Sequence, residues 1–226
     1  MTPTLIVLAF VSAFAAMIGA AVWQHRGRTG RASFIDSYPF PSGVRQKVHK
    51  RYPHLTESDL DLVFDALREY FHLSRKAGRR LLSMPSQVVD AAWHEFILFT
   101  RNYHHFCSQA FGRFLHHTPA EAMATPTMAG EGIKRTWRLA CLRQGIDPKA
   151  ATAVPLLFAI DGRLNIADGF NYVLNCTHML GTAPQRYCAS DIGAGGCGGC
   201  GGGCAGQGCG SDGGGDGGGC GGGGGD

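Results

Sequence analysis

The stretch that decides the fold is Ser83–Pro119, SMPSQVVDAAWHEFILFTRNYHHFCSQAFGRFLHHTP. It holds five of the ten histidines and the longest helical pattern outside the N-terminal region. Pro85 suits the first turn of a helix, either Ser83 or Ser86 can cap its free N–H groups, and Gly112 is the first natural stop. We therefore predict one helix that runs to Gly112 and lies at the centre of a packed domain.

The two sides of this predicted helix differ in character. At 100° per residue, its apolar side chains fall within an arc of about 100°, the width of a core-facing stripe. These side chains are Val88, Val89, Ala92, Phe96, Phe99, Tyr103, Phe106 and Ala110. The opposite side gathers Asp90, His94, Arg101 and His105. The helix is thus expected to pack on the core and to make a second, polar contact.

Part of this stretch resembles a known family. The pattern Val89-Asp90-x-x-Trp93-His94, followed by Tyr103, Phe111-Gly112 and His116-His117-x-Pro119, is similar to the Trp-His core of the glycine-rich domain-containing proteins of plants and bacteria. The resemblance covers roughly residues 38 to 119 together with the composition of the C-terminal tail. It implies that Trp93, Tyr103 and Gly112 are a structural core motif. Plant members carry a second histidine where this chain has Phe96, so a metal role does not follow from the resemblance.

A metal site is one interpretation of the histidines. Asp90 and His94 are one helical turn apart, a spacing that lets two side chains reach one ion, and a third ligand could come from His116 or His117 after the turn at Gly112. His105 lies about 16 Å further along the helix and cannot share that ion unless the helix breaks. The alternative is structural: the His94 imidazole bonds Asp90 or a backbone carbonyl. No nucleophile with a base and no nucleotide-binding motif is present, so the sequence indicates no particular reaction.

The N-terminal residues 1–24 are predicted to be a transmembrane anchor. Residues 4–23 carry no charge and are long enough to cross a hydrocarbon core of about 30 Å as a helix. A cleaved signal peptide is the alternative, but no Lys or Arg precedes the run. Arg26, Arg28 and Arg31 follow it, in a basic linker over residues 25–37, and the positive-inside rule then places the N-terminus outside and the domain in the cytoplasm. We expect a single-pass protein of the cell (inner or plasma) membrane.

Residues 38–190 are predicted to form an all-α domain of about five or six helices. Val44–Arg51 has helical spacing, and the capping box Thr56-x-x-Asp59 opens a helix that runs to about Leu73. Ile133–Gln144 is a further helix, Pro148–Ile160 is a helix interrupted at Pro155, and Asp161-Gly162 is expected to be a turn. No stretch alternates apolar and polar residues over strand length, so the sequence gives a sheet little support.

The tail, residues 191–226, is mostly glycine and is predicted to be disordered. Cys197, Cys200, Cys204 and Cys209 have loose ligand spacing, so zinc or another soft metal is a possible ligand. The tail lacks Lys, Arg and aromatic residues, and the net charge is only +4, so nucleic acid is not an expected partner. The cysteines outside the tail are expected to be small buried hydrophobes in a reducing compartment. They are Cys107, Cys141, Cys176 and Cys188.

Taken alone, the sequence favours a membrane-anchored cytoplasmic helical protein that binds or interacts with a partner, with the lipid bilayer contacted through residues 4–23. Two other classes stay open: a metal-dependent enzyme centred on Asp90 and His94, and a substrate of enzymes that convert tail cysteines to thiazoles. The basic residues Lys76, Arg79 and Arg80 are interpreted as a solvated turn or, alternatively, as a contact with anionic lipid headgroups.

Overall fold

A computed structural model describes residues 29–117, 126–174 and 186–189, together with positions 13, 14, 16–19, 27 and 192. The fold is mostly helical, in agreement with the all-α prediction. Its elements are α1 (29–37), α2 (Ser42–Arg51), α3 (Glu57–Ala77), α4 (Gln87–Leu98), α5 (Thr100–Phe111), α6 (Pro126–Arg143), α7 (Leu156–Arg163), β1 (Asn171–Val173) and β2 (Arg186–Cys188). The predicted tail 191–226 lies outside the described residues except for Ile192.

The predicted anchor also lies largely outside the described residues. Of residues 4–23, only 13, 14 and 16–19 are described, and they are helical and exposed. Within the part of the chain that the structure describes, no helix is both long and apolar enough to cross a membrane. The transmembrane segment therefore stays a prediction.

The N-terminal boundary of the domain is earlier than the sequence indicated. Residues 29–37 were expected to belong to a basic linker, but they form α1, and Ile35 in that helix is fully buried. The Asp36 carboxylate lies 2.6 Å from Nε2 of His72 in α3, so α1 is also held by a polar contact. The glycines at 27 and 30 obscured this helix in the sequence, because glycine is a poor helix former.

Local sequence signals place α2 and α3 correctly. Helix α2 begins at Ser42 and buries Val44 and Val48. Helix α3 begins with the predicted capping box: the Asp59 N–H donates to Oγ1 of Thr56, and the Thr56 N–H donates to the Asp59 carboxylate. It continues one turn beyond the predicted end, to Ala77, and ends at Gly78, whose φ of 67° favours glycine.

The central helix is the main correction to the predicted fold. The segment forms two helices, α4 and α5, because Phe99 between them has ψ of 62° and ends the helical hydrogen bonding. Its ring lies against α2, where a Cβ on Gly43 would be 2.8 Å from Cζ of Phe99. Apart from Phe99, which is partly buried, the apolar stripe is buried as predicted, and Phe96, Tyr103 and Phe106 are each no more than 1% exposed.

The C-terminal part of the domain differs from the prediction. Residues 148–154 are not helical, so the expected helix over 148–160 is reduced to a helix that begins after Pro155. Asp161 and Gly162 lie inside α7 and not in a turn, since Pro155 starts this helix. A two-stranded parallel sheet pairs β1 with β2, with Tyr172 opposite Tyr187. Strands of three residues are too short to show a period-two pattern, which is why no sheet was predicted from the sequence.

The described cysteines fall into two groups. Cys107 and Cys141 are free and buried, as expected, and burial raises the pKa of both thiols. Cys188, by contrast, is disulfide-bonded, which corrects the expectation of a free thiol.

Candidate metal centre

The N-terminus of α4, the helix that carries Asp90 and His94, is fixed by two side chains. Ser86 caps the helix by accepting a hydrogen bond from the Val89 N–H. The carboxylate of Asp161, 1% exposed in α7, accepts from the Ser86 hydroxyl and from the N–H groups of Gln87 and Val88, at 2.7 to 3.2 Å. A carboxylate at this end also suits the positive pole of the helix dipole. These contacts set where α4 begins and in which direction it runs.

The second part of the site is the extended segment 113–117, which follows the turn at Gly112. Gly112 ends α5 in the left-handed conformation, with φ of 68°, which favours glycine. A Cβ there would also lie 2.8 Å from the Arg31 guanidinium, which donates to the carbonyl of Phe111. The end of α5 is thus held by α1, and the chain turns back toward α4.

A buried hydrogen-bond chain fixes this segment against α4. Nε1 of Trp93 donates to the Tyr103 hydroxyl over 3.1 Å, and that hydroxyl donates to the carbonyl of Leu115. Burial raises the pKa of Tyr103, so the phenol keeps the proton that this donation requires. Trp93 also packs edge-on against His117, with 4.5 Å between ring centroids. The core motif Trp93, Tyr103 and Gly112 therefore positions His117.

Asp90, His94 and His117 come together where α4 meets this segment. One potential ligand atom from each lies within 4.8 Å of the other two. Asp90 Oδ2 is 3.3 Å from Nδ1 of His94, and Asp90 Oδ1 is 2.8 Å from Nε2 of His117. The side chain of Asp90 is 24% exposed, that of His94 is 45% exposed and that of His117 is 11% exposed. His117 is therefore largely buried in the domain, whereas the cluster is open to solvent on the His94 side.

The other predicted ligands do not join this cluster. His116 is exposed, with its ring against Phe114 at 4.9 Å between centroids. His105 belongs to a separate helix, and its ring lies 6.3 Å from that of Phe34. The tail cysteines Cys197, Cys200, Cys204 and Cys209 lie outside the described residues. The sequence left the choice between His116 and His117 open, because only the direction of the extended segment decides it.

Sequence reasoning missed Asp161 and Leu115. Asp161 caps a helix about 75 residues earlier in the chain, and Leu115 contributes only a backbone carbonyl to the hydrogen-bond chain. Neither role leaves a local pattern. The one available signal was an acidic residue directly after an apolar segment, Pro155–Ile160, which is atypical of a buried helix.

A family model described as UCP032817-like matches residues 30–192. The chain belongs to the UCP032817-like family. The matched range starts inside α1 and continues through β2, so it includes the whole candidate centre. No curated protein and no solved structure matches the chain. The match does not test the resemblance to the glycine-rich domain-containing proteins, which stays a prediction.

Proposed function

We propose that this UCP032817-like protein binds a divalent transition-metal ion, zinc in the first place, through Asp90, His94 and His117. The observation that carries the proposal is the convergence of one carboxylate and two imidazoles, from α4 and the segment after Gly112, within 4.8 Å. Nitrogen and oxygen donors of this kind suit zinc and its neighbours in the first transition row.

The distances fit such an ion. Ligand atoms around a tetrahedral zinc ion are about 3.3 Å apart, given bonds of about 2.0–2.1 Å. Asp90 approaches the two imidazoles through different oxygens, Oδ2 at 3.3 Å from His94 and Oδ1 at 2.8 Å from His117, and both distances are of this order. The two histidine rings are 4.1 Å apart between centroids. A small rotation of the half-exposed His94 side chain and of the Asp90 carboxylate would bring one atom from each residue to ligand spacing.

The structural alternative explains His117 better than it explains His94. The Asp90–His117 hydrogen bond ties the extended segment to α4, which is a sufficient structural reason for both residues. The His94 side chain is 45% exposed, and in the described part of the chain its polar and ring contacts are with Asp90 and His117. A role as a metal ligand explains the histidine at position 94, whereas packing does not. This asymmetry supports metal binding over a purely structural triad.

Three protein ligands leave a coordination position open on the solvent side of the cluster. A divalent ion held in this way supplies a Lewis acid to a water or substrate in that position. An enzyme centred on Asp90 and His94 therefore remains compatible with the site. The thiazole alternative concerns the tail, and no described residue favours it.

Metal binding is tested with the full-length chain in detergent, with its five tail cysteines replaced by serine so that tail thiols do not compete. Co²⁺ is titrated into the metal-stripped protein and followed by its visible spectrum. We expect one ion per chain, and binding weakened at least about tenfold in Asp90→Asn and His94→Ala. His104→Ala, an exposed histidine outside the cluster, is the matched control. Equal binding by Asp90→Asn and the parent protein would refute the proposal.

We also propose that the chain is anchored in the membrane by residues 4–23, with its domain in the cytoplasm. The exposed apolar residues Phe14, Met17 and Ile18, all helical, support an anchor. The arginines after residue 23 favour the cytoplasm, whereas the disulfide at Cys188 is more typical of an oxidising compartment. A topology reporter fused after Asp226 decides between the two sides, and an exported reporter would contradict the cytoplasmic placement.

A further inference from the structure

A cavity of about 200 Å³ lies between the C-terminal end of α3 and the segment 113–116. Its lining includes three arginines, Arg79, Arg80 and Arg113, and one histidine, His116. The buried Ser74 and Tyr70 form part of its floor, and no Asp or Glu is among the residues that line it. The wall of this cavity is therefore cationic and rich in hydrogen-bond donors.

Arg113 is held in place across the cavity. Its guanidinium donates to the carbonyl of Gly78, just beyond α3, and to that of Phe114 on its own segment. Both walls are thus joined by one planar group whose charge faces the negative end of the α3 dipole. Arg113 therefore complements the negative end of the α3 dipole without a contribution from Arg79 or Arg80.

Arg79 and Arg80 are exposed, and within the described residues neither side chain has a hydrogen-bond or ion-pair partner. A solvated turn accounts for exposed arginines in general, but here both line the same cavity as Arg113. Like charges that face one small space repel one another, and an anion in that space relieves the repulsion. Guanidinium groups also pair with phosphate through two parallel hydrogen bonds.

We propose that this cavity binds a phosphate group. Several oxygens on one centre match several guanidiniums better than a single carboxylate does, and the cavity is large enough for a phosphate and the first atoms attached to it. The proposal does not depend on a metal. His116 faces this cavity while its neighbour His117 meets Asp90, as expected for adjacent residues of an extended segment.

The test uses the full-length chain in a maltoside detergent and a phosphate-free buffer, with inorganic phosphate titrated by calorimetry. The variant Arg79→Gln/Arg80→Gln is compared with Arg138→Gln/Arg163→Gln, which removes the same charge from two exposed arginines outside the cavity. We expect phosphate to bind the parent protein and the control alike, and to bind the cavity variant about tenfold or more weakly. All four positions are exposed, and an unchanged unfolding midpoint verifies that each variant folds. No binding to the parent, or equal loss in both variants, overturns the proposal.

A second arm separates the two sources of a phosphate group. The chain is reconstituted in nanodiscs of phosphatidylglycerol or of an uncharged glycolipid, and inorganic phosphate is titrated again. If phosphatidylglycerol abolishes the binding and the glycolipid does not, the ligand is a lipid headgroup. If both nanodiscs bind inorganic phosphate equally, the ligand is a soluble phosphate compound. Either result supports the site, provided that Arg79→Gln/Arg80→Gln weakens binding in the glycolipid nanodiscs.

Discussion

Asp90 and His117 are joined by a hydrogen bond of 2.8 Å that connects α4 to the extended segment after Gly112. Asp90 contacts His94 as well, at 3.3 Å, but the two histidines differ in burial: the His117 side chain is 11% exposed and that of His94 is 45% exposed. The pair Asp90–His117 therefore belongs to the packing of the domain, whereas His94 stands at its surface.

This difference predicts separate effects for the two histidines. His117→Ala removes a half-buried hydrogen bond and a ring contact with Trp93, and should destabilise the domain by about 1–3 kcal/mol. His94→Ala should cost less than about 1 kcal/mol, because an exposed contact contributes little. Both should weaken Co²⁺ binding. Urea unfolding of the metal-free proteins measures the first effect, with His49→Ala as an exposed control. Equal destabilisation by both substitutions would show that His94 is structural.

The hydrogen-bond chain from Trp93 through Tyr103 to Leu115 leads to a second prediction. Tyr103→Phe keeps the ring but leaves the Trp93 N–H and the Leu115 carbonyl without their buried partner. We expect a loss of about 1–3 kcal/mol in the free energy of unfolding and a weaker metal site, because His117 is two residues from Leu115. Tyr52→Phe is a suitable control, since the buried Tyr52 hydroxyl has no hydrogen-bond partner among the residues that the structure describes. Unchanged Co²⁺ affinity in Tyr103→Phe would show that this hydrogen-bond chain does not position the metal ligands.

The sequence predicted those features that depend on neighbouring residues. The capping box at Thr56 and Asp59, the buried stripe of α4 and α5, and the turn at Gly112 all follow from local spacing or from the backbone freedom of glycine. The pairing of Asp90 with His94 is of the same kind, because one helical turn separates them. These signals were enough to place the centre of the domain and two of the three clustered residues.

Features set by distant packing were not predictable in this way. The helix breaks at Phe99, whose ring lies against Gly43 of α2, and a helical wheel of one segment carries no information about α2. The choice of His117 over His116 depends on how Leu115 is anchored by Tyr103. The cap on α4 comes from Asp161 in α7. In each case the deciding contact joins residues that are far apart in the chain.

Asp161 provides a third prediction. Its carboxylate accepts four hydrogen bonds, from the Ser86 hydroxyl and from the N–H groups of Gln87, Val88 and Phe170. Asp161→Asn places an NH₂ group among these donors and removes the charge, so we expect a loss of about 2–4 kcal/mol in the free energy of unfolding. Asp168→Asn, at an exposed carboxylate nearby, should change stability by less than about 0.5 kcal/mol. Chemical denaturation measures the free energy of unfolding of both variants. A loss in Asp161→Asn as small as the loss in Asp168→Asn would contradict the capping role of Asp161.

A buried carboxylate at the contact between α3 and α6 makes the stability of the domain depend on pH. Glu69 in α3 is only 9% exposed, and its Oε1 accepts a hydrogen bond of 2.9 Å from the Gln144 amide. Burial raises the pKa of Glu69, against the smaller opposing effects of the Gln144 hydrogen bond and of Arg143. The carboxyl group therefore holds its proton more tightly in the folded protein than in the unfolded chain.

The sign of the effect follows from proton binding. Between the unfolded pKa of Glu69, about 4.3, and its higher folded pKa, the folded state binds more protons, so stability falls as the pH rises through this window. Glu69→Gln keeps an amide that can bond Gln144 but does not titrate. We expect the stability of Glu69→Gln relative to the parent protein to increase from about pH 4 to about pH 7, as measured by urea unfolding. Glu131→Gln, at an exposed glutamate in α6, should show no such trend. A stability difference that stays constant with pH would show that the Glu69 carboxyl group has the same pKa in the folded and unfolded states.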